Sequence, residues 1–482
     1  MYELVAGALA SYLLGNSILW FSLIIGTYLS AMGVGGYLSK FVEKQLVARF
    51  IEVELVVALL GGFQAPVLFA TFAFGRGLEG VLFALVFATG MFVGLELPLL
   101  IRILDRSGGG LRELVARVMF LDYVGALAAS VGFPLIFLPQ LGLLRTSLVF
   151  GLVNAVVAIT TTFLLEAPAP VVLRLRIVGG GVIALLLGGL IGAQRFEGQV
   201  ESALFSDAVI YAEQTPYQRI IVTHRDRDTR LYLDGALQFS SIDEYRYHEA
   251  LVHPVMATAA RAKRVLVLGG GDGLAVREIL KHPVDEVVLV ELDPRMAALF
   301  EAHADLAALN GGSLSDPRVK VITADAFSWL RARGPDDPRF DVVIIDFPDP
   351  NHVGLGKLYT NYFYHLLRGA VADDGAIAVQ ATSPMFSPDA YWCVVATLAD
   401  AGWAVRPYHV YVPSFGEWGF VLAAKTEPNP GPILAGQRFL DDAAMAQAFV
   451  FPRDLARRDE PVNRLDNQVL VSLYDDDWRA AP

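Results

Sequence analysis

The sequence predicts two architectures in series: an α-helical transmembrane bundle, then an α/β part built as a doubly wound parallel sheet with a small N-terminal β subdomain in front of it. Three observations carry this. Hydrophobic residues make up 54% of the 482 positions and charged residues only 18%, a bias that excludes both a disordered chain and an ordinary soluble enzyme. The charge is also divided unevenly. Of 38 basic and 50 acidic residues, 11 and 10 fall in residues 1–194, leaving 27 and 40, a balance of −13, for residues 195–482. Finally, the hydrophobic pattern changes near Arg195 from long unbroken runs to short alternating ones, as expected where the surrounding medium changes from lipid to water.

Taken in order, apolar runs long enough to cross about 30 Å of hydrocarbon lie near residues 18–39, 50–75, 80–104, 121–144, 146–166 and 175–194. A shorter run, Leu4 to Leu14, has no basic flank and no clear cleavage site, so it reads as a helix missing its start and not as a signal peptide. Lys40, Lys44 and Arg49 mark one loop as cytoplasmic, and Arg102, Arg106, Arg112 and Arg117 mark another two crossings later. Strict alternation from there would put the soluble part outside the cell. Pro134 and Pro139 therefore single out 121–144 as a re-entrant segment and not a full crossing. Glu54, Glu96 and Asp122 lie within or at the ends of apolar runs. Carboxylates are costly there, and these read either as a path for a polycation or as groups near the interface or bonded to a neighbouring helix.

Residues 195–261 are expected to form the β subdomain and a connecting helix. Short alternating strands fall at Arg219–Thr223, at Arg230–Leu233 ending in Asp234-Gly235, and at Gln238–Ser240. Over 262–425 apolar strands alternate with helical stretches, the pattern of a Rossmann-like domain. Residues 426–482 open with Pro428 and Pro430 and become mixed and charged, as in a tail packed on the preceding domain. A single cysteine, Cys393, rules out an intrachain disulfide and suits a reducing cytosol. With no His/Cys ligand cluster, no metal is expected. The acidic balance fits cationic substrates and opposes nucleic-acid binding, which needs clustered Lys and Arg.

The densest chemistry lies at the ends of the predicted parallel strands. Val265–Leu268 runs into Gly269-Gly270-Gly271-Asp272-Gly273 before a helix near Leu274. Glycines there let a nucleotide approach the backbone, although such a loop alone can be merely a tight connection. Strand Val287–Val290 ends at Glu291, Val319–Thr323 is followed by Asp325, and Asp341–Ile345 ends at Asp346 with Asp349 beyond. Four strands thus deliver carboxylates to the sheet edge where open α/β folds bind ligands. Just ahead of the sheet, Asp243, Glu244 and Glu249 surround Tyr247 and His248. A tyrosine among carboxylates can orient an amine, whereas His248 reads as a hydrogen-bonded structural histidine.

Together, Pro216-Tyr217-Gln218, Leu233-Asp234-Gly235 with Gln238 and Ser240, Asp243-Glu244 with Tyr247-His248-Glu249, the Gly269–Gly273 turn and Asp346-Phe347-Pro348-Asp349-Pro350 resemble the polyamine aminopropyltransferases, or spermidine synthases, over most of residues 214–425. The front of the chain, with Tyr12-Leu13-Leu14-Gly15, Glu96-Leu97-Pro98 and Asp122-Tyr123-Val124-Gly125-Ala126-Leu127, is similar to the membrane-bound branch of that family. The resemblance implies a class I methyltransferase-type Rossmann-like sheet in a multi-pass protein of the cell membrane, its catalytic domain cytoplasmic and its soluble domains able to associate as a homo-oligomer. It implies no cofactor, decarboxylated S-adenosylmethionine as co-substrate, and putrescine or a related amine as acceptor. The products would be spermidine and 5′-methylthioadenosine.

Carried over by motif, Glu291 would hold the donor ribose, Asp325 the adenine and Asp272 the aminopropyl ammonium, with Gln218, Gly269 and Gly271 lining the same pocket. Asp346, Tyr247 and Asp349 would receive the acceptor, Asp346 taking its proton. One motif departs from the family. Soluble members carry a Tyr-Pro-Ser-Gly loop where this chain reads Val412-Pro413-Ser414-Phe415-Gly416-Glu417. Phe415 has no hydroxyl, and Glu417 is expected to take over at the distal end of the acceptor.

The implied reaction explains the acids. An alkylammonium with pKa near 10 is free amine in only about one part in a thousand at pH 7, a deficit of about 4 kcal/mol. A carboxylate and a tyrosine hydroxyl at the attacking nitrogen can accept its proton and aim its lone pair. Two other functions use parts of this pattern. A methyltransferase would share the sheet, but Asp272 would repel a donor that keeps its carboxylate. A polyamine transporter or sensor would use the intramembrane acids and keep the soluble domain only to bind nucleoside.

Overall fold

Long apolar runs rich in Leu and Ala suit helices, and the described residues from Tyr2 to Leu204 form helices joined by short turns. A computed structural model describes every residue except 15–16, 76, 106–110, 206, 335 and 481–482. Gly15 and Arg106 of the sequence reading therefore lie outside the described residues. The chain divides into two units, Met1–Val209 and Ile210–Pro482.

The first unit comprises α1 (Tyr2–Leu14), α2 (Ser17–Leu38), α3 (Leu46–Gly62), α4 (Gln64–Phe74), α5 (Leu78–Asp105), α6 (Leu111–Gly132), α7 (Leu138–Leu164) and α8 (Ala169–Leu204). Glycine sets the closest packing. A Cβ on Gly35 of α2 would fall 1.9 Å from the Met91 carbonyl oxygen, and one on Gly94 of α5 2.2 Å from that of Met32. These two backbones touch, as small residues permit where helices cross. Side chains such as Leu29, Phe120, Leu135, Leu164 and Ile191 are exposed.

Five stretches among the described residues are long and apolar enough to cross a membrane: Leu19–Phe41, Leu46–Phe74, Leu78–Asp105, Arg112–Leu164 and Ala169–Val200. The runs expected separately at 121–144 and 146–166 share one of these stretches. Pro134 does not end the helix, because a π turn over Phe133–Phe137 widens the ladder where the ring offers no donor. Pro139 sits in the first turn of α7, and the backbone leaves helical geometry only at Gly142, with φ +69°. The last helix runs on through Arg195 to Leu204.

Beyond it, β1 (Ala208–Gln214), β2 (Arg219–Arg225), β3 (Asp228–Leu233) and β4 (Ala236–Ser240) form a four-stranded sheet in that order. Helix α9 (Glu244–Thr258) leads into the main sheet. Its strands are β5 (Arg264–Gly269), β6 (Glu286–Glu291), β7 (Val319–Thr323), β8 (Phe340–Asp346), β9 (Val371–Gln380), β10 (Ala404–Val412) and β11 (Gly416–Ala424), ordered β10-β11-β9-β8-β5-β6-β7. Strands β5 to β9 are parallel, and β10 and β11 add an antiparallel edge. Val265 and Val267 pack into the core on one face, Leu266 and Leu268 into the core on the other. Both faces are covered, which is why these strands read as unbroken apolar runs.

The crossovers and the tail supply α10 (Leu274–Ile279), α11 (Pro294–Ala302), α12 (Ala304–Leu309), α13 (Ala326–Arg331), α14 (Val353–Gly356), α15 (Asn361–Ala370), α16 (Pro388–Asp400), α17 (Asp442–Ala448) and α18 (Val469–Ala480). The order reverses between β5 and β8, which opens a crevice at their carboxyl ends. The tail is fastened by buried polar groups. Glu249 of α9 accepts the backbone N–H groups of Arg438, Phe439 and Leu440 at 2.8 Å each.

Candidate active site

A cavity of about 370 Å³ occupies that crevice. Its floor is the turn after β5, where crowding dictates glycine. Gly269 has φ +80°, and a Cβ on it would meet the Asp346 backbone oxygen at 2.4 Å. A Cβ on Gly271 would strike the Glu291 carboxylate at 2.7 Å. Without those side chains, the Gly271 N–H donates to Glu291 Oε2 at 3.1 Å and the Asp293 N–H to Oε1 at 2.9 Å. Glu291 is thus held with its carboxylate facing the cavity, and burial pushes its pKa up to about 7.

Gln218 reaches the same wall from just before β2. Its side-chain amide donates to Asp293 Oδ2 at 3.2 Å, and the Thr215 hydroxyl donates to the same oxygen at 2.7 Å. Asp272 follows the glycines, its Oδ1 accepting the Leu274 N–H at 2.9 Å, and burial raises it to about 6. Asp325 caps α13 through the Ser328 N–H at 2.8 Å and pairs with Lys357 Nζ at 2.9 Å. Burial works against its charge, but the Lys357 ammonium and the capping N–H outweigh it and hold the carboxyl below its usual range.

Across the crevice, the Tyr247 hydroxyl of α9 donates to Asp346 Oδ1 at 2.6 Å. Both side chains are enclosed, and burial raises the Asp346 pKa. Three groups converge on Asp349: the Tyr474 hydroxyl at 3.0 Å, the Thr382 hydroxyl at 3.3 Å and the Gln380 amide at 3.3 Å. Its pKa is nevertheless pushed up to about 6 by burial. Thr382 adopts φ +64°, a left-handed conformation that a β-branched residue takes only under constraint, beside the group it serves.

His248 also lines the cavity. Its Nδ1 lies 2.8 Å from the Glu244 carboxylate and 2.8 Å from the Glu244 carbonyl oxygen, and Arg277 grips Glu244 with both terminal nitrogens at 3.0 and 2.9 Å. Burial opposes charge on the ring, but Glu244 outweighs it and the pKa rises to about 9. Glu244 thus favours charge on His248, and that charge in turn favours ionisation of Asp272 and Asp346 against their burial.

The structure brings Gln218, Tyr247, Gly269, Gly271, Asp272, Glu291, Asp325, Asp346 and Asp349 to one cavity. It does not bring Glu417 there. That carboxylate is bonded to His409 Nδ1 at 2.7 Å, across the β10–β11 pairing, and is absent from the cavity wall. Strand alternation explains the correction: Trp418, the next residue, lines the cavity, so Glu417 points to the other face. Phe415 remains in the wall, packed on Trp418 and Tyr247. Tyr474 of α18 does bring a hydroxyl to the cavity wall.

Sequence reasoning missed Tyr474, Thr382 and Gln380. The strain at Thr382 is a backbone property, and Tyr474 lies 125 residues from its partner. Gln380 could have been found, since it ends β9 as Asp346 ends β8.

A doubly wound sheet with carboxylates at the ends of successive strands, facing one cavity, defines a Rossmann-type enzyme built for cationic small molecules. Residues 244–430 match the spermine/spermidine synthase domain family. The polyamine aminopropyltransferase 2 of Ralstonia nicotianae is 50% identical over 487 residues, covering 99% of this chain and 95% of the relative. The polyamine aminopropyltransferase of Leptospira interrogans is 48% identical over 480 residues, covering 99% and 96%. A crystal structure of spermidine synthase in complex with the transition-state analogue AdoDATO overlaps 52% of this chain and 88% of its own, with 25% identity and a TM-score of 0.47. The chain belongs to the polyamine aminopropyltransferase family.

Proposed function

We propose that the enzyme transfers the aminopropyl group of decarboxylated S-adenosylmethionine to putrescine, releasing spermidine and 5′-methylthioadenosine, while its helical unit holds it in the cell membrane with the catalytic unit on the cytoplasmic side. The observation that carries the chemistry is the Tyr247–Asp346 pair, 2.6 Å apart and enclosed, at the centre of the acidic cavity.

In this reading Glu291 accepts hydrogen bonds from the ribose hydroxyls, with both its own oxygens already oriented by backbone N–H groups. Asp325 faces the adenine. Asp272 pairs with the aminopropyl ammonium, so a donor that keeps its α-carboxylate is repelled. At the other end Asp349, steadied by Tyr474, Thr382 and Gln380, pairs with the distal ammonium of the acceptor. Asp346 and Tyr247 face the proximal nitrogen. As that nitrogen attacks the methylene beside the sulfonium, an N–C bond forms and the C–S bond breaks. The sulfur leaves with the electron pair as a neutral thioether, and the nitrogen's proton passes to Asp346. Excess negative charge also suits the sulfonium and the two ammonium groups before reaction.

Membrane insertion is supported by five apolar stretches of 23 to 53 residues and by large apolar side chains on their outward faces. Cytoplasmic placement of the catalytic unit is supported by the basic residues at the stretch ends: Lys40 and Lys44 mark the end of the first stretch and Arg102 that of the third, so the chain leaves the fifth on the same side. The test is product analysis by mass spectrometry with the full chain in detergent, decarboxylated S-adenosylmethionine, and putrescine, cadaverine, agmatine or spermidine as acceptor. Methylthioadenosine with spermidine from putrescine is expected. A methylated amine from the intact donor would overturn the reaction, and preference for another amine would overturn the acceptor. Release of the protein from membranes by alkaline carbonate would overturn the membrane reading alone.

A further inference from the structure

The helical unit buries a polar cluster that aminopropyl transfer does not use. Tyr2 of α1 is 6% exposed, Glu54 of α3 8% and Gln64 of α4 1%. Within the unit, the Tyr2 hydroxyl, Gln64 Oε1 and Glu96 Oε1 are buried and meet no hydrogen-bonding partner. They belong together. The Tyr2 ring lies against Gly61, where a Cβ would come within 2.3 Å of it. Gly61 is two turns from Glu54 on the same face of α3. The Gln64 amide donates to the Tyr2 carbonyl oxygen at 3.4 Å, which leaves its own oxygen free. Glu54 shares its face of α3 with Ala58, and Glu96 shares its face of α5 with Leu99, and Ala58, Leu99 and the Tyr2 ring pack in one core.

The chemistry of the cluster is one-sided. Two buried carboxylates and an amide oxygen offer lone pairs, and the walls are apolar residues of the same core, among them Leu55, Ala58 and Leu99. Such a cluster is complementary to a slender apolar body that carries positive charge and several N–H donors. An alkylammonium supplies three donors at each charged end. A hard metal ion would demand six or more oxygens, and among the described residues no group of three or more His, Cys, Asp or Glu is placed to hold one.

We infer that Glu54, Glu96, Tyr2 and Gln64 form a second binding site, within the helical unit, for an alkyl diammonium or polyammonium cation, the class of molecule that the catalytic unit consumes and makes. The choice of ligand class rests on the aminopropyltransferase reading, but the site itself does not.

The test is equilibrium dialysis of radiolabelled putrescine against the full chain in detergent, without donor. Two molecules per chain are expected for the wild type. Glu54→Gln with Glu96→Gln should bind one, with kcat for aminopropyl transfer unchanged. Asp346→Asn with Asp349→Asn should also bind one, the molecule in the helical unit. Tyr2→Phe, which keeps the ring on Gly61, should weaken that site about tenfold, and butylamine should compete at least tenfold less well than putrescine. One molecule per chain in the wild type, lost in Asp346→Asn with Asp349→Asn, overturns the second site. So does a stoichiometry of two that survives the glutamine pair. Should the glutamine pair not yield monodisperse protein, an unchanged second dissociation constant in Tyr2→Phe overturns it. Failure of the catalytic reading shows separately, as two molecules still bound by Asp346→Asn with Asp349→Asn.

Discussion

Both units of the chain bury carboxylates, and they treat them in opposite ways. In the α/β unit each acid of the cavity has groups built around it: backbone N–H groups at Glu291, a phenol at Asp346, and two hydroxyls and an amide at Asp349. In the helical unit Glu96 Oε1, Gln64 Oε1 and the hydroxyl of Tyr2 face no partner among the described residues. A reaction needs its charges fixed to a fraction of an ångström, because orientation is what lowers the barrier. Binding a flexible cation needs charge and burial but little geometry. The contrast is the one expected if the first set of acids serves the proposed reaction and the second plain recognition.

The sharpest way to break this contrast is Asp346→Asn. Removal of the proton acceptor should lower kcat by about a thousandfold, while methylthioadenosine binding stays within about twofold. Unchanged turnover would sink the base assignment. Asp272→Ala comes next. Loss of a buried charge-assisted bond to the aminopropyl ammonium should weaken the decarboxylated donor by about a hundredfold, yet leave methylthioadenosine, which has no ammonium, nearly unaffected. Equal losses in a calorimetric titration of the two would refute the role.

Acidity gives a third handle. Asp272 and Asp349 titrate near 6 and Glu291 near 7, all raised by burial. As pH falls through these values the cavity loses the anions that hold its cations, so KM for both substrates should rise by about tenfold per pH unit below about 6. Above about 7.5 it should be flat. A KM independent of pH down to 5 would contradict this. The sign for stability is opposite. Because the folded values exceed the unfolded ones, the contribution of these groups is fully present below about pH 4 and is lost as pH rises through 6 to 7. A bound cation should then restore it, raising the midpoint of thermal unfolding more at pH 8 than at pH 5.

The smallest expected effects separate Tyr474 from Glu417. Tyr474→Phe removes one neutral hydrogen bond to Asp349 and should raise KM for putrescine about fivefold to tenfold with kcat nearly constant. Glu417→Gln should leave KM unchanged, since its partner is His409. The reverse ranking would restore the expectation formed from the loop sequence.

What the sequence made legible follows from distance along the chain. Asp272, Glu291, Asp325, Asp346 and Asp349 all stand within a few residues of a strand end, so once the strands are recognised the fold itself brings them to one edge. The glycine turn was legible for the same reason. Tyr474 was not, because it reaches Asp349 from a terminal helix held by long-range contacts such as Asp477 with Ser387, Asp389 and Ala390. Glu417 misled because the loop suggested proximity, whereas the alternation of β11 turned its side chain away. In the helical unit the apolar runs were plain, but the continuation of 121–144 past Pro134 depends on how a π turn accommodates the ring, and the break ahead of 146–166 falls at Gly142, neither of which hydropathy encodes. The shared burial of Tyr2, Glu54, Gln64 and Glu96 required the packing of several helices.

The central claim is that the acids of the α/β cavity select a cationic donor and activate an amine. Its most direct test is the affinity of the full chain for decarboxylated against intact S-adenosylmethionine, measured in the wild type and in Asp272→Asn. The wild type should prefer the decarboxylated donor by about a hundredfold or more, and Asp272→Asn should erase most of that preference by weakening one ligand and admitting the other. Equal affinity of the wild type for the two donors, or a preference that survives the substitution intact, would contradict it.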